Sequence, residues 1–364
     1  MNIRTREAVV ATAVSLTLGL GACGQAGESV GSSSGEGGLS IGLLLPEKQT
    51  ARYEQSDRPL ITEKIKELCG RCTVKYANAH DDTAVQRQQM ESMINRGVDV
   101  LILDAVDIRG ARSMVKEAKD AGVPVIAYDR PVEGPITAYV SHDPVAIGRF
   151  QGEALLRAQG ARGDGGRVVR VDGPQQSAGV VSPFDSGAQS VLKGKVEISK
   201  VYRAETWNTG SAYVAMSGAI AAEGTDIDGV WAGNDVIAGG VIAALKDARV
   251  RPLPLVVGQD AELPAVQRIV SGEQAMTVYK PYPPEAEAAA RFAVAVGRGE
   301  DIDRIAEDEV DISTAKDVPA VLITPIPLTA QNIKDTVVKD GMYTIDQICT
   351  PRYRPACERA GLTG

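Results

Sequence analysis

Short runs of apolar residues alternate with longer amphipathic segments along most of the chain. The first apolar runs, rich in Val, Ile and Leu, lie at residues 39–45, 73–78, 98–103, 123–128 and 138–141. Segments of helical period separate them at residues 57–68, 82–95 and 111–121. Strands of a parallel sheet form continuous apolar runs because helices cover both faces of the sheet. The pattern therefore predicts an α/β fold.

A second series of the same kind begins at residue 144, where Asp143 caps a helix that carries Pro144 in its first turn. Its strands are expected at residues 168–172, 196–203, 229–232, 255–258 and 276–279. Its further helices are expected at residues 184–192, 211–222, 236–248, 264–271 and 284–297. Two series of similar size predict two Rossmann-like lobes with parallel sheets.

The N-terminus has the pattern of an export signal. Arg4 and Arg6 precede an apolar run at residues 8–20, which is too short to span a bilayer. The run ends at Leu20-Gly21-Ala22-Cys23, which resembles the lipobox of bacterial lipoproteins. We therefore expect a signal peptide at residues 1–22 and a lipid on Cys23 that anchors the chain to the membrane outside the cytoplasm. A plain secretory signal is the alternative. Residues 23–38, rich in Gly and Ser, are expected to form a flexible tether.

Cysteine usage fits an exported protein. Lipidation of Cys23 leaves four of the five cysteines, namely Cys69, Cys72, Cys349 and Cys357. Outside the cytoplasm such cysteines form disulfides, and joining sequence neighbours is the simplest of the three possible connectivities. A redox function for Cys69 and Cys72 is a weaker alternative, because they follow a helical pattern and do not open one.

Composition excludes several classes of function. The formal net charge of −8 argues against a dedicated nucleic-acid binder, which needs a basic face. Only two histidines are present, so zinc chemistry and His-based triads are disfavoured, and we expect no metal and no cofactor. No spacing of carboxylates in the sequence marks a catalytic acid and base. The chain is therefore expected not to be an enzyme.

Polar residues collect where the expected strands end, which is where open α/β sheets bind ligands. They are Asp104, Asp129, Arg130, Asn234, Asp235, Gln259, Asp260 and Lys280. A helix N-cap explains any single Asp or Asn, but Arg130 and Lys280 cannot cap an N-terminus. Fixed donors and acceptors at several angles suit the hydroxyls of a sugar.

Two aromatic residues are candidates to stack on the apolar face of such a ligand. Trp207 lies in a polar loop after the strand at residues 196–203, and Tyr53 lies beside Arg52 after the first strand. A loop aromatic with no ligand is the alternative for Trp207. Trp231 falls inside an apolar strand and is expected to be a core residue.

Five stretches, in order along the chain, carry a family resemblance. They are Asn95-Arg96-Gly97-Val98-Asp99-Val100-Leu101, Ala127-Tyr128-Asp129-Arg130-Pro131, Gly233-Asn234-Asp235, Val257-Gly258-Gln259-Asp260-Ala261 and Met276-Thr277-Val278-Tyr279-Lys280-Pro281. With them the chain resembles the periplasmic sugar-binding proteins of ABC importers, most closely the D-xylose-binding proteins. The resemblance implies the type I periplasmic binding protein fold, with two lobes joined by three crossing segments. It places the N-terminal lobe at residues 39–140 and 282–322, the C-terminal lobe at residues 141–281 and 323–345, and a tail at residues 346–364.

The same resemblance implies a ligand set and a function. The ligand set is Arg52, Tyr53, Asp129, Arg130, Trp207, Asn234, Asp260 and Lys280. The implied function is that of a monomeric lipoprotein that binds a monosaccharide, D-xylose first, and delivers it to the membrane permease of an ABC importer. A sensor that presents the same sugar to a membrane receptor kinase is the alternative. An exported carbohydrate-active enzyme is disfavoured.

Overall fold

The structure is a computed structural model that describes residues 38–159, 165–174 and 181–362. The expected signal peptide, Cys23 and residues 23–37 of the expected tether lie outside the described residues. The described chain belongs to one compact unit, Gly37–Gly364. None of the helices in the described part of the chain is long and apolar enough to cross a membrane.

Strands and helices alternate as the sequence pattern predicts. Within the described residues the strands are β1 (Ser40–Leu45), β2 (Thr73–Asn78), β3 (Val100–Leu103), β4 (Val125–Tyr128), β5 (Ala138–His142), β6 (Gly166–Asp172), β7 (Val196–Arg203), β8 (Gly229–Ala232), β9 (Leu255–Val257), β10 (Thr277–Tyr279), β11 (Asp308–Ile312), β12 (Ala315–Ile323) and β13 (Ile326–Leu328). The α-helices are α1 (Arg58–Leu68), α2 (Thr83–Asn95), α3 (Ala111–Asp120), α4 (Pro144–Gln159), α5 (Val181–Leu192), α6 (Thr209–Glu223), α7 (Asp235–Asp247), α8 (Leu263–Ser271), α9 (Tyr282–Gly297), α10 (Ile345–Ile348) and α11 (Arg354–Arg359).

The first sheet has seven strands in the order β11-β12-β5-β4-β3-β1-β2. Its inner strands are parallel, and only the edge strand β11 is antiparallel to its neighbour. Ile61 of α1 and Phe292 of α9 pack on one face of this sheet, and Met90 and Met114 of α2 and α3 pack on the other. Helices on both faces explain why the strands are apolar along their whole length.

The second sheet has four parallel strands in the order β7-β6-β8-β9. A single bridge between Val257 and Met276 places β10 next to β9, and β10 pairs with β13. Helices α4 and α5 cover one face, and α6 and α7 cover the other. The carboxyl ends of β7, β8, β9 and β10 lead into the loops that carry the candidate ligand residues Trp207, Asn234, Asp260 and Lys280.

The chain passes between the two sheets three times. The crossings follow β5, separate β10 from α9, and separate β12 from β13. The prediction of two Rossmann-like lobes with parallel sheets joined by three crossing segments is thereby confirmed. The residue boundaries given above for the lobes stay a prediction.

Both disulfides join sequence neighbours. Cys69 pairs with Cys72 at the end of α1, and Cys349 pairs with Cys357 between α10 and α11. The second disulfide lies in the C-terminal tail, where Ile348 and Leu362 pack with Ile269 of α8 in one apolar cluster. The simplest of the three connectivities is therefore the one that the structure contains.

Candidate functional site

A cavity of about 90 Å³ lies at the carboxyl ends of strands from both sheets. This volume is larger than the space that one water molecule needs and is on the scale of a small polar molecule. Seven of the eight residues in the expected ligand set line it: Tyr53, Asp129, Arg130, Trp207, Asn234, Asp260 and Lys280. The structure brings these seven residues together although they span most of the chain.

Arg52, the eighth residue, does not line the cavity and lies buried behind it, with 3% of its surface exposed. Its guanidinium forms ion pairs with Asp57 at 2.8 Å, Asp129 at 2.8 Å and Glu285 at 2.5 Å. Tyr128 donates a further hydrogen bond to Asp57 over 2.7 Å. Burial raises the pKa of Asp57 to about 6, although the Arg52 charge opposes the shift. Arg52 is therefore placed to orient Asp129.

Asp129 directly follows β4 and has a backbone φ of 57°, in the left-handed region. Its backbone carbonyl accepts hydrogen bonds from Tyr139 over 3.1 Å and Ser141 over 2.7 Å, which fix this conformation. Its carboxylate accepts a hydrogen bond from Tyr53 over 3.1 Å. Burial disfavours the charged form, but the charges of Arg52 and Lys280 outweigh burial and hold the pKa of Asp129 well below its usual range. Asp129 is therefore a fixed acceptor in the cavity wall.

Arg130 is held from several sides. It donates to the Ala105 carbonyl over 3.0 Å and to the Tyr53 hydroxyl over 3.4 Å, and its Nε lies 3.6 Å from the carboxyl of Asp104. Burial raises the pKa of Asp104 well above its usual value despite the Arg130 charge. The guanidinium carbon of Arg130 lies 5.9 Å from the centre of the Trp207 ring, within the range of a cation–π contact.

The opposite wall is built on the second sheet. Asp260 follows β9 and has a φ of 97°. Lys280, which follows β10, pairs with Asp260 at 2.8 Å and lies 3.9 Å from Asp129 of the first wall. The Asn234 Oδ1 caps α7 by accepting from the Ile237 amide over 3.0 Å, so the cap interpretation of Asn234 is correct and the residue also lines the cavity. Lys280 thus lies between the acidic groups of the two walls.

The two tryptophans both reach the cavity. Trp207 packs over Gly173 so closely that a Cβ on that glycine would lie 2.4 Å from the ring. The Trp207 Nε1 is buried and has no hydrogen-bond partner within the described residues. Trp231 lies in the core as expected, with 3% of its surface exposed, and its Nε1 donates to Gln151 over 3.0 Å. One part of Trp231 also lines the cavity, which the sequence did not suggest.

Several lining residues were missed from the sequence. Ser141 and His142 at the end of β5, Asp172 at the end of β6 and Arg203 at the end of β7 all line the cavity. The strand-end rule that selected Asp129 and Asp260 would have found these four as well. Ile147, Gln151 and Phe184 come from helices, for which that rule gives no signal.

The site is suited to binding rather than to chemistry. Within the described ranges, no group of three His, Cys, Asp or Glu side chains could hold a metal ion. The walls instead offer paired donors and acceptors beside an aromatic ring. Such groups match an uncharged molecule that carries several hydroxyls and one apolar face.

Comparison with known proteins identifies the class. The model of the periplasmic binding protein domain matches residues 41–301, and the chain belongs to that family, with its type I fold. The chain is 35% identical over 314 residues to the D-xylose-binding periplasmic protein of Escherichia coli, which covers 84% of this chain and 91% of that protein. It is 34% identical to the D-xylose-binding periplasmic protein of Haemophilus influenzae, over 85% of this chain and 92% of that one.

A solved structure supports the same class. An ABC transporter solute-binding protein from Clostridium phytofermentans with bound β-D-glucose superposes with a TM-score of 0.76 at 26% identity, over 85% of this chain and 99% of that one. The family and these relatives are binding proteins, so the expectation that the chain is not an enzyme is confirmed.

Proposed function

We propose that this chain is the extracytoplasmic binding component of an ABC sugar importer. It binds one monosaccharide, D-xylose first, between its two sheets and delivers it to the permease. The observation that carries the proposal is the cavity in which Asp129 and Arg130 of one wall face Asp260 of the other, with Lys280 between them. The names of the two D-xylose-binding relatives support the choice of sugar.

The charge pattern supports an uncharged ligand. The two cations of the predicted ligand set that line the cavity lie among acidic groups: Lys280 pairs with Asp260 at 2.8 Å, and Arg130 interacts electrostatically with Asp129 and Asp104. A neutral sugar can enter such a site without leaving a buried charge unpaired, whereas an anion would meet Asp129 and Asp260. The ring of Trp207 offers the surface against which the apolar face of the sugar stacks.

The N-terminal sequence supports attachment to the membrane. We propose that Cys23 carries a lipid and that the monomeric protein is held beside its permease. The test is the full-length chain expressed in its own cell type with Cys23→Ala. We expect the variant to leave the membrane fraction and appear in the soluble extracytoplasmic fraction. An unchanged distribution would contradict the lipid anchor and leave the sugar-binding proposal intact.

The direct test of sugar binding is calorimetric titration of the purified protein. We expect D-xylose to bind with a dissociation constant in the micromolar range, which corresponds to about −8 kcal/mol. D-glucose, D-ribose and xylitol complete the panel and rank the specificity. If none of these neutral sugars releases or absorbs heat or raises the melting temperature, the proposal is wrong.

A substitution of Trp207 tests where the sugar binds. We expect Trp207→Ala to weaken sugar binding at least tenfold, taking the loss of the stacked ring to be on the scale of roughly 1–3 kcal/mol that a nucleobase gains by stacking on one aromatic side chain. Tyr213→Ala is the matched control, because this half-buried aromatic residue of α6 does not line the cavity, and the variant should bind as the wild type does. Equal affinities in wild type and Trp207→Ala would remove Trp207 from the site.

A further inference from the structure

A second charged group lines the cavity and belongs to no part of the ligand set described above. Asp172 ends β6 and Arg203 ends β7, so the two side chains come from neighbouring strands of the second sheet. Both line the cavity, together with Arg170, which lies two residues before Asp172 on the same strand face. Arg170 and Asp172 are buried, with 7% and 6% of their surface exposed.

Arg170 forms ion pairs with two acidic residues and packs on an aromatic ring. Its Nε and Nη2 lie 3.0 Å and 2.9 Å from Asp172 Oδ2, and its Nη1 lies 2.5 Å from Asp185 of α5. Its guanidinium carbon lies 4.4 Å from the centre of the Trp231 ring. Because these contacts use both ends of the guanidinium, Arg170 fixes the orientation of Asp172 and has little capacity left for a ligand.

Asp172 and Arg203 both have hydrogen-bonding atoms that no group in the described residues uses. Within the described residues, the side-chain contacts of Asp172 all use Oδ2, and its Oδ1 has no hydrogen-bond donor there. Arg203 Nη1 lies 3.9 Å from Asp172 and 3.4 Å from the Gly173 carbonyl, while its Nε and Nη2 have no hydrogen bond within the described part of the chain. A carboxylate oxygen and a guanidinium edge therefore remain open beside the same cavity.

We propose that Asp172 and Arg203 bind one hydroxyl of the ligand, with Arg170 as their positioning residue. The hydroxyl donates to Asp172 Oδ1 and accepts from Arg203, a pairing that one hydroxyl can satisfy at once. The inference rests on the proposed function and adds residues that bind the sugar on a further side. In the sheet order β7-β6-β8-β9, the strand that bears Arg203 and the strand before Asp260 are three positions apart. That separation is about 14 Å, so the two groups contact opposite sides of a bound molecule.

The charges of this group select an uncharged ligand. The cations Arg170 and Arg203 are balanced by the anions Asp172 and Asp185, so the group as a whole is formally neutral. A sugar acid would bring its carboxylate next to Asp172, where like charges repel. A polyol hydroxyl meets no such penalty. The ligand class is therefore a neutral polyol with a hydroxyl on the side that faces β6 and β7.

The experiment measures sugar affinity in the variants Asp172→Asn and Arg203→Met, with D-xylose as the first probe and D-glucose as the second. We expect each variant to lose at least tenfold in affinity, because each loses a hydrogen bond to a charged group. Glu153→Gln breaks a surface ion pair with Arg149 away from the cavity and should leave affinity unchanged. Circular dichroism melts confirm that each variant is folded.

The role of Arg170 is tested by a double-mutant cycle. If Arg170 acts through Asp172, then Arg170→Met and Asp172→Asn lower sugar affinity by about the same factor. The double variant then loses no more affinity than either single variant. Arg170→Lys, which keeps one ion pair, should recover part of the affinity. Additive losses would show that Arg170 does not act through Asp172. If Arg170→Met fails to fold, the Asp172 and Arg203 variants still decide the main point.

The outcomes separate this inference from the proposed function. A wild-type protein that binds neither probe and no other neutral sugar contradicts the proposed function. A wild-type protein that binds, while Asp172→Asn and Arg203→Met both stay within twofold of its affinity, overturns the inference alone. Wild-type binding of D-xylonate as tight as that of D-xylose overturns the neutral-ligand assignment.

Discussion

At the scale of single residues, the close contact between Gly173 and Trp207 controls the geometry of one cavity wall. No side chain larger than hydrogen fits at Gly173, because a Cβ there would lie 2.4 Å from the indole ring. A larger residue would displace the ring from its present position, 5.9 Å from the guanidinium carbon of Arg130. The position of Trp207 thus requires a glycine at residue 173, which lies in a different loop.

We expect Gly173→Ala to weaken sugar binding tenfold or more while the melting temperature changes little. The added methyl displaces Trp207, which lines the cavity and is only partly buried at the edge of the core. Gly218→Ala is the matched control, since a Cβ at that exposed helical position meets nothing within 4 Å. Affinity is measured by calorimetric titration. A Gly173→Ala protein with wild-type affinity would show that the ring position is not critical.

Asp235 gives the protein a specific response to pH. Its buried carboxyl accepts hydrogen bonds from Gln274 over 2.7 Å and from Thr277 over 2.8 Å, and burial raises its pKa to about 7. A carboxyl with a raised pKa in the folded state stabilises the fold most at low pH. That contribution is lost as the pH rises from the unfolded value near 4 to the folded value near 7.

We therefore expect wild-type stability to fall, relative to Asp235→Asn, by on the order of 2–3 kcal/mol between pH 5 and pH 8. The Asn side chain does not ionise, so the variant lacks this component of the pH dependence. Urea unfolding at several pH values measures the difference, and the exposed Asp226→Asn serves as control. Parallel curves for wild type and Asp235→Asn would contradict the raised pKa.

Much of the candidate site could be predicted at this scale, and the remainder has a physical reason. Asp129, Asn234 and Asp260 follow apolar strands, so the strand-end rule identifies them. The position of Arg52 behind the cavity could not be predicted, because its partners Asp129 and Glu285 are distant in sequence. The sequence also gave no sign that Trp231, inside an apolar strand, contributes to the cavity wall.

At the scale of elements, helices α4 and α5 pack unusually close together. A Cβ on Gly148 of α4 would lie 2.0 Å from the Phe184 carbonyl, and a Cβ on Gly187 of α5 would lie 2.0 Å from the Val145 carbonyl. The glycines let the two backbones approach where larger residues would separate them. Phe184 and Asp185 of α5 thereby reach the cavity and Arg170.

We expect Gly148→Ala to lower the free energy of unfolding by about 1–3 kcal/mol, the usual cost of overpacking a tight contact. The methyl group meets backbone, which cannot rotate away. Gly218→Ala again provides the comparison. Replacing an exposed glycine in a helix by alanine raises the free energy of unfolding by about 0.5–1 kcal/mol. Urea denaturation gives both values. A Gly148→Ala protein as stable as the wild type would mean that the two helices can separate at no cost.

The elements themselves were predicted well where they are buried and less well at the edge of the sheet. The inner strands β1, β3 and β4 are apolar on both faces, so the sequence marks them clearly. The edge strand β11 has the sequence DEVDI, is largely exposed and was not expected. Its charged residues suit an edge, where they discourage pairing with another chain, but they remove the apolar signal.

At the scale of the whole molecule, the C-terminal tail is fixed beside the third crossing. The disulfide between Cys349 and Cys357 lies in one apolar cluster with Leu328 of β13 and Ile269 of α8. None of the tail residues that the structure describes, 346–362, lines the cavity. The tail therefore contributes to the stability of the fold and not to recognition of the ligand.

We expect the double substitution Cys349→Ser and Cys357→Ser to lower the free energy of unfolding by about 2–3 kcal/mol, from the chain entropy of the opened loop. The matched double substitution Cys69→Ser and Cys72→Ser opens a shorter loop and should lower the free energy of unfolding by less. Sugar affinity at 25 °C should stay at the wild-type value in the tail variant. A large loss of affinity there would show that the tail acts on the cavity after all.

The two sheets differ in how the chain assembles them. All four strands of the second sheet come from one continuous stretch, Gly166 to Val257, whereas the first sheet needs β12, which is separated from β5 by more than 170 residues. When the polypeptide emerges N-terminus first from a ribosome or an export channel, the four-stranded sheet has all its strands before the seven-stranded sheet does. Slow emergence therefore favours completion of the four-stranded sheet before the seven-stranded sheet, although the seven-stranded sheet contains the first strands of the chain.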